Sequence, residues 1–263
     1  MIVHFHKYQA TGNDFIIIDD RNKQFDLKNN SLIHRMCNRR FGIGADGLIL
    51  LRNEPGLDFR MIYFNADGYE GSMCGNGGRC AAAFAHEIFP QSFRYRFMAF
   101  DGEHQASIKQ ATDSGLMVNL SMKDVLVPQV SDNSYTLNTG SPHYVCFVND
   151  AASVDVNTEG RKIRNSAQHL REGINVNFVE VHPDAITVRT FERGVEEETL
   201  SCGTGVTASA IVSVFAGKLP VGPVKVFTRG GELSVKFIAG DTLFEDVFLT
   251  GPADKVFTGS IEV

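Results

Sequence analysis

Met73-Cys74-Gly75-Asn76-Gly77-Gly78-Arg79 sets a thiol immediately before a run of glycines, and Cys80-Ala-Ala-Ala-Phe84 follows it. The stretch reads as the start of a helix with a cysteine at its mouth. Glycines let backbone approach a ligand closely, and the unpaired N–H groups of a first helical turn attract an anion and lower a nearby thiol's pKa. Ser201-Cys202-Gly203-Thr204-Gly205 repeats the device, again ahead of small and apolar residues, Ala208 to Val212. Taken singly, either stretch reads more readily as a cysteine buried as a small hydrophobe.

The spacing separates these readings. Cys74 and Cys202 stand 128 positions apart in a chain of 263 residues. Thr11-Gly12-Asn13-Asp14 is echoed by Thr139-Gly140-Ser141-Pro142 at the same offset, and Gly42-Ile43-Gly44-Ala45-Asp46 by Gly173-Ile174-Asn175-Val176-Asn177 at 131. Gly102-Glu103 answers to Gly231-Glu232 at 129, and Phe64-Asn65 to Phe191-Glu192 at 127. Five echoes in one order at nearly one offset indicate two copies of one fold. The expected halves are residues 1–122, carrying Cys74, and 123–263, carrying Cys202, with the last strand, about 254–263, returning to the first half.

Composition narrows the function. Hydrophobic residues make up 43% and charged residues 21%, as in a soluble globular protein, and each half is long enough for its own core. A formal net charge of −6, with no cluster of basic residues larger than a pair such as Arg39-Arg40, gives no nucleic-acid footprint. No run approaches 18 apolar residues, so no membrane span is expected. The opening Met1-Ile-Val-His-Phe-His-Lys-Tyr8 alternates like a strand and lacks a signal peptide's apolar core. Five cysteines without CxxC spacing suit a reducing cytoplasm better than a disulfide framework, and their spacing does not suit zinc.

Along the first half, Val3–Tyr8, Phe15–Asp19, Leu48–Leu51, Phe59–Phe64, Arg94–Phe100, Gln105–Lys109 and Leu116–Met122 read as strands. A short helix carries Leu32, Ile33, Met36 and Cys37 with Ser31 near its cap, and a longer one runs from Gly75 to about Phe89. Val127-Pro-Gln-Val-Ser-Asp-Asn-Ser134 reads as a polar link. In the second half, a strand ending at Thr139-Gly140 is followed by strands at Tyr144–Val148, Ile174–Val181, Ile186–Phe191, Val224–Phe227, Leu233–Phe237 and Leu243–Leu249. Arg161–Arg171 reads as helical, and a dominant helix runs from Cys202 to Gly217. Each half thus has one helix that is apolar nearly all round and must be buried. The fold class is α/β of the α+β type: two pseudo-symmetric halves, each a mostly antiparallel sheet curled around a central helix.

Two thiols at two helix starts suggest proton traffic at carbon. A thiolate on one face removes a proton and a thiol on the other returns one, which inverts the centre. A helix N-terminus favours an adjacent anion by about 0.3–2 kcal/mol, enough to bring a free thiol from about 8.5 toward 7. Two ionised thiols would repel, so the pair holds one proton between them. His143 and Glu192 stand where they could tune those thiols, or serve as structural hydrogen-bonders. Cys37 and Cys146 lack a glycine-rich helix start and read as core.

These motifs together resemble the diaminopimelate epimerase family over essentially the whole chain: Ala10-Thr-Gly-Asn-Asp-Phe15, Phe64-Asn-Ala-Asp-Gly68, Cys74 to Cys80, Pro142-His143, Asn175-Val176, Glu192-Arg193-Gly194 and Cys202-Gly-Thr-Gly205. The resemblance implies a cofactor-independent epimerase that interconverts LL- and meso-diaminopimelate in lysine and peptidoglycan-precursor synthesis, as a cytoplasmic homodimer. It implies Cys74 and Cys202 as the acid/base thiols, adjusted by His143 and Glu192. Gly75, Asn76, Gly203 and Thr204 would hold the reacting carboxylate, with Asn13 near the reacting amine. Asn65, Asn175, Glu192 and Arg193 would hold the distal amino-acid head, a guanidinium suiting a carboxylate and a glutamate an ammonium. Ser141 and Gly47 depart from the family pattern, where Asn and Gln are common.

Other readings compete. Proline racemase-like and hydroxyproline epimerase-like enzymes also use paired Cys-Gly motifs, but with His two positions after the first cysteine, where this chain has Asn76. A thiol redox protein and a non-catalytic anion-binding module are the alternatives outside that chemistry. A Cys74–Cys80 bridge is disfavoured, because six helical positions turn the two side chains apart.

Overall fold

The computed structural model describes residues 2–111 and 115–262, with backbone alone at 110 and 111. Met1 and Val263, the outer ends of the two expected halves, lie outside that description. Contacts divide the chain into two units, Met1–Leu120 with Gly251–Val263, and Ser121–Thr250.

The first unit begins with β1 (Ile2–Ala10) and β2 (Asn13–Asp19), α1 (Asn30–Cys37), β3 (Gly47–Arg52) and β4 (Phe59–Asn65). It continues with α2 (Gly75–Ile88), β5 (Arg94–Ala99), β6 (Gly102–Ala111) and β7 (Gly115–Ser121). The second comprises β8 (Val125–Leu126), β9 (Gln129–Ser131), β10 (Ser134–Asn138), β11 (Pro142–Val148), α3 (Val156–Arg164), β12 (Asn175–Val181) and β13 (Ala185–Glu192). β14 (Glu197–Thr199), α4 (Gly203–Phe215), β15 (Val224–Thr228), β16 (Gly231–Ala239) and the long β17 (Leu243–Glu262) follow.

Pairing closes each unit on itself. In the first, β1 pairs antiparallel with β2, β2 parallel with β3, β3 antiparallel with β4, and β4 parallel with β5. β5, β6 and β7 continue antiparallel, and the far end of β17 bridges β7 back to β1. The second unit repeats this sequence of senses through β10, β11, β12, β13, β15, β16 and the near end of β17. There the Val125–Ser131 segment closes the ring, β8 pairing with β17 and β9 with β10. A closed ring leaves no unpaired strand edge.

The two central helices fill the rings. α2 packs on β1, β2, β3, β4 and β6, and every residue from Gly75 to Ala85 is buried. α4 packs on β10, β11, β12, β13, β15 and β16. Helices without a polar face are stable only when enclosed, and the alanines and serines of α2 and α4 keep them slim enough to be. Fully burying one large apolar side chain, such as Phe84 or Ile211, contributes about 1.5–3 kcal/mol. No helix among the described residues is long and apolar enough to cross a membrane.

Several local expectations change. Helix α3 covers Val156–Arg164 rather than Arg161–Arg171, because Asp155 caps it by accepting from Thr158 N at 3.1 Å. Gly160 belongs there since a Cβ would lie 2.4 Å from Phe191 Cβ. Asn29, not Ser31, caps α1, accepting from Leu32 N. The stretch read as a polar link holds β9, since barrel closure supplies partners that its composition does not advertise. The Gly42/Gly173 echo is also out of register: Phe15 pairs with Gly47 as His143 pairs with Asn175, which restores the common offset of 128.

Candidate functional site

In the first unit Cys74 is the N-cap of α2, extended at φ −111°, ψ 119°, and its Sγ accepts from Gly77 N at 3.4 Å. The turn between β1 and β2 brings Asn13 to it: Cys74 Sγ lies 3.7 Å from Asn13 Oδ1, which also accepts from Asn76 Nδ2 at 3.2 Å. Both amides are oriented from outside. Asn13 Nδ2 donates to Asp46 Oδ2 at 2.8 Å, and Arg79 Nη2 donates to Asn76 Oδ1 at 3.1 Å. A carboxylate only accepts and a guanidinium only donates, so Asn13 must turn its oxygen toward the thiol.

Asp46 is itself held by Arg39, which also binds Asp14, while Lys7 reaches Asp14 at 2.7 Å. Burial works against ionisation of Asp14, but Arg39 and Lys7 outweigh it and hold the carboxyl at about 2. Asn65 lies at the end of β4, where a Cβ on Gly71 would lie 3.0 Å from its Oδ1. Gly47 admits no side chain, since a Cβ would lie 2.5 Å from Tyr63 Cε2.

The second unit places Cys202 at the start of α4 with nearly the same backbone, φ −118°, ψ 109°, but with no side-chain capping bond. Its Sγ lies 3.4 Å from Thr204 Oγ1, and Thr139 Oγ1 donates to Thr204 O at 2.9 Å. A second cluster joins Asn175 and Arg193, two of the residues expected at the distal head. Asn175 Nδ2 donates to Ser141 Oγ and to Pro142 O, while Asn175 Oδ1 accepts from Arg193 N at 2.8 Å. Arg193 Nη2 reaches Ser141 Oγ at 3.3 Å and Nη1 reaches Glu172 O at 2.9 Å. Glu192 ends β13, next to Arg193 in the turn that leads to β14. Ser141, whose place in the expected site was open, is thus a partner of both Asn175 and Arg193.

His143 is fully buried on β11. Burial, and then the positive charge of Arg193, hold its pKa at about 3, so the ring is uncharged at neutral pH. Cys37 is buried and Cys146 only partly so, a correction to its reading as core, although it packs against the Val156–Phe191 cluster. Burial raises Cys37 to about 12 and Cys146 to about 11, so neither ionises near neutrality.

Sequence reasoning assigned no role to Arg79, Asp46, Asn177 or Thr190. Arg79, Asp46 and Asn177 stand inside quoted stretches, and only their geometry shows what they orient. Asn177 and Thr190 carried a usable signal: polar side chains at positions where alternation in β12 and β13 points them inward.

The family model for diaminopimelate epimerase matches residues 5–123 and 135–256. A diaminopimelate epimerase of Flavobacterium psychrophilum is 47% identical over 257 residues, covering 97% of this chain and 99% of the relative. That of Chlorobaculum tepidum is 44% identical over 258 residues, with 96% and 98% covered. Among solved structures, a Bacillus anthracis phenazine biosynthesis protein of the PhzF family superposes with TM-score 0.77 at 12% identity, over 100% of both chains. A hydroxyproline epimerase from Agrobacterium vitis gives 0.68 at 15% identity, over 99% of this chain and 91% of the other. At such identities these two speak for the fold alone.

Proposed function

We propose, since the chain belongs to the diaminopimelate epimerase family, that it interconverts LL- and meso-diaminopimelate by a two-base reaction in which Cys74 and Cys202 exchange the roles of thiolate and thiol. The observation that carries this reading is the duplicated cap: two cysteines 128 positions apart, in nearly the same extended conformation, each opening a buried helix. One ring topology built twice supplies one acid/base group per unit, and inversion at a single carbon needs two.

The amides of Gly75, Asn76, Gly203 and Thr204 lie in first helical turns, where N–H groups stabilise the reacting carboxylate and the charge that grows on it as Cα loses its proton. Asn13 presents its oxygen beside Cys74, which suits an ammonium donor. In the second unit Asn175, Ser141, Glu192 and Arg193 form the distal-head contacts, with Asn65 contributing from the first. His143 and Glu192 tune the thiols. No cofactor is needed, because anion stabilisation and two placed thiols meet the demands of proton exchange. In this reading the protein works in the cytoplasm as a homodimer, in lysine and peptidoglycan-precursor synthesis.

Deuterium tests the two-base step. With the reaction started in heavy water and stopped early, each thiol carries solvent deuterium before substrate binds. The donor thiol therefore labels the inverted carbon, while the opposite thiolate keeps the substrate's proton. Mass spectrometry at low conversion should find labelled product and nearly unlabelled substrate. Product that retained its original hydrogen would show one group performing both transfers.

Arg193→Ala checks the distal head. The side chain is exposed, so the fold should tolerate its loss. Truncating one partner of a charged hydrogen bond that the bound substrate buries typically costs about 2–5 kcal/mol of binding. Calorimetry with diaminopimelate should register that loss, and parental affinity would remove Arg193 from the roster.

A further inference from the structure

We propose that Asn177 and Thr190 lock His143 as its neutral Nε2–H tautomer, making it a fixed hydrogen-bond donor to an anion at the first turn of α4 rather than a base. The role at α4 rests on the reading of that helix start as part of the reaction site; the lock itself does not.

The polarity follows from the contacts. Thr190 Oγ1 donates to Asn177 Oδ1 at 2.9 Å, and Asn177 Nδ2 donates to Tyr144 O at 2.9 Å. A backbone carbonyl only accepts, so the amide cannot be reversed. The same Nδ2 lies 3.1 Å from His143 Nδ1, which must then offer a lone pair. The ring's one proton is left on Nε2. That nitrogen is buried and has no hydrogen-bond partner among the described residues, which marks it as a donor awaiting an acceptor. The low pKa of His143 agrees with a ring that never takes a second proton near neutrality.

Its surroundings place it under the thiol-bearing turn. A Cβ on Gly205 would lie 3.3 Å from His143 Cε1, 2.4 Å from Asn177 Oδ1 and 3.3 Å from Thr190 Oγ1. Gly205 is three positions beyond Cys202, on the same helical face. Only a glycine allows the three polar side chains to come this close.

The internal repeat supplies the control. His143 and Asn177 match Phe15 and Ile49 at the common offset, and Thr190, paired across from Asn177, matches Tyr63, paired across from Ile49. Gly77, the counterpart of Gly205, abuts Ile49 Cδ1 and Met61 Cε, each 3.2 Å from an added Cβ. The same ring is therefore built with an apolar floor under α2, and the fold does not require the polar triad under α4. Asn177 and Thr190 are positioning residues, acting through the imidazole.

Nitrogen-15 NMR of the free full-length protein labelled at histidine tests the lock without any substrate. His143 should show Nε2 protonated and Nδ1 bare between pH 6 and 9, a window that includes the ordinary histidine pKa of about 6.5. A proton on Nδ1, or a charged ring in that window, would overturn the proposal. Asn177→Leu, which copies the apolar residue of the other unit, should release the lock to mixed tautomers and lower turnover about a hundredfold, as for loss of one preorganised donor. Asn177→Asp, whose carboxylate only accepts, should draw the proton to Nδ1, provided that it folds. In Asn177→Leu, slower alkylation of Cys202 by iodoacetamide at neutral pH would identify the thiolate as acceptor, and a raised KM with unchanged alkylation would identify the substrate carboxylate. Either supports the donor, whereas mixed tautomers with neither change would overturn it. An inactive parent with the tautomer locked would sink the epimerase reading and leave the lock standing.

Discussion

Alanine at Cys74 or at Cys202 is expected to abolish epimerisation, each variant losing at least the about 10²–10⁴-fold that a positioned acid or base supplies. The loss should be chemical rather than structural. Cys74 Sγ does accept from Gly77 N, so Cys74→Ala forfeits a capping bond, a class worth about 0.5–2 kcal/mol. Cys202 makes no capping bond, although its Sγ contacts Thr204 Oγ1, so Cys202→Ala should remain folded and lose no cap. Cys37→Ala and Cys146→Ala provide the contrast, since burial keeps both as thiols and neither opens a central helix. Turnover of LL-diaminopimelate together with thermal melts separates these cases. Normal turnover by either Cys74→Ala or Cys202→Ala would end the two-base reading, whatever the melts show.

What made the fold legible was repetition more than periodicity. A single glycine-rich turn after a cysteine is ambiguous, but its recurrence at a fixed offset requires two domains that bury the same elements in the same order. The central helices were readable because a helix of alanine, valine and isoleucine without a polar face has nowhere to go but inside a sheet. The short strands β8, β9 and β14 were not readable. Their residues are too few for a period to show: β8 and β9 pair because ring closure presents them with open edges, and β14 pairs as the return of a hairpin from β13.

The candidate site divides along a similar line. Cys74, Asn13 and Asn76 come together within the first unit, and Asn175 and Arg193 within the second, joined by Ser141. Hidden from the sequence were the residues that act on those residues. Asp46 settles which end of Asn13 meets the thiol, yet sits 33 positions away on the far side of α1 in sequence. Hydrogen-bond polarity is a property of a network, so no single position announces it. Comparison of the two halves after their register is known does better, because a polar residue in one copy facing an apolar one in the other has escaped the demands of the shared fold.

Arg79→Leu is expected to cost several kcal/mol of stability in the first unit. Arg79 is fully buried, and its guanidinium binds four neutral acceptors: Nη1 to Gly75 O at 3.3 Å, Nη2 to Asn76 Oδ1 at 3.1 Å and Thr11 Oγ1 at 3.4 Å, and Nε to Pro252 O at 3.3 Å. One side chain thereby ties α2 to the β1–β2 turn and to the closing strand β17. Thr11 sits at φ 49°, a strained setting for a β-branched residue, and the guanidinium helps hold it there. Two effects of the substitution oppose each other. Burial disfavours the charge, and although Cys80 and Cys74 pull the other way the pKa falls to about 10, so removing the cation relieves desolvation. The acceptors stay behind, however, and each buried one that finds no other donor costs about 1–3 kcal/mol. Replacing a buried charge is harmless when its partners are replaced with it, and here they are not. Arg79→Lys keeps the charge, but one ammonium cannot serve acceptors spread around a planar fork, so it should fall between leucine and the parent. Urea unfolding measures the difference, against a total of about 5–15 kcal/mol for a typical domain. A leucine variant as stable as the parent would mean that relieved desolvation dominates, and that Arg79 is retained for its charge near Cys74 instead of its bonds.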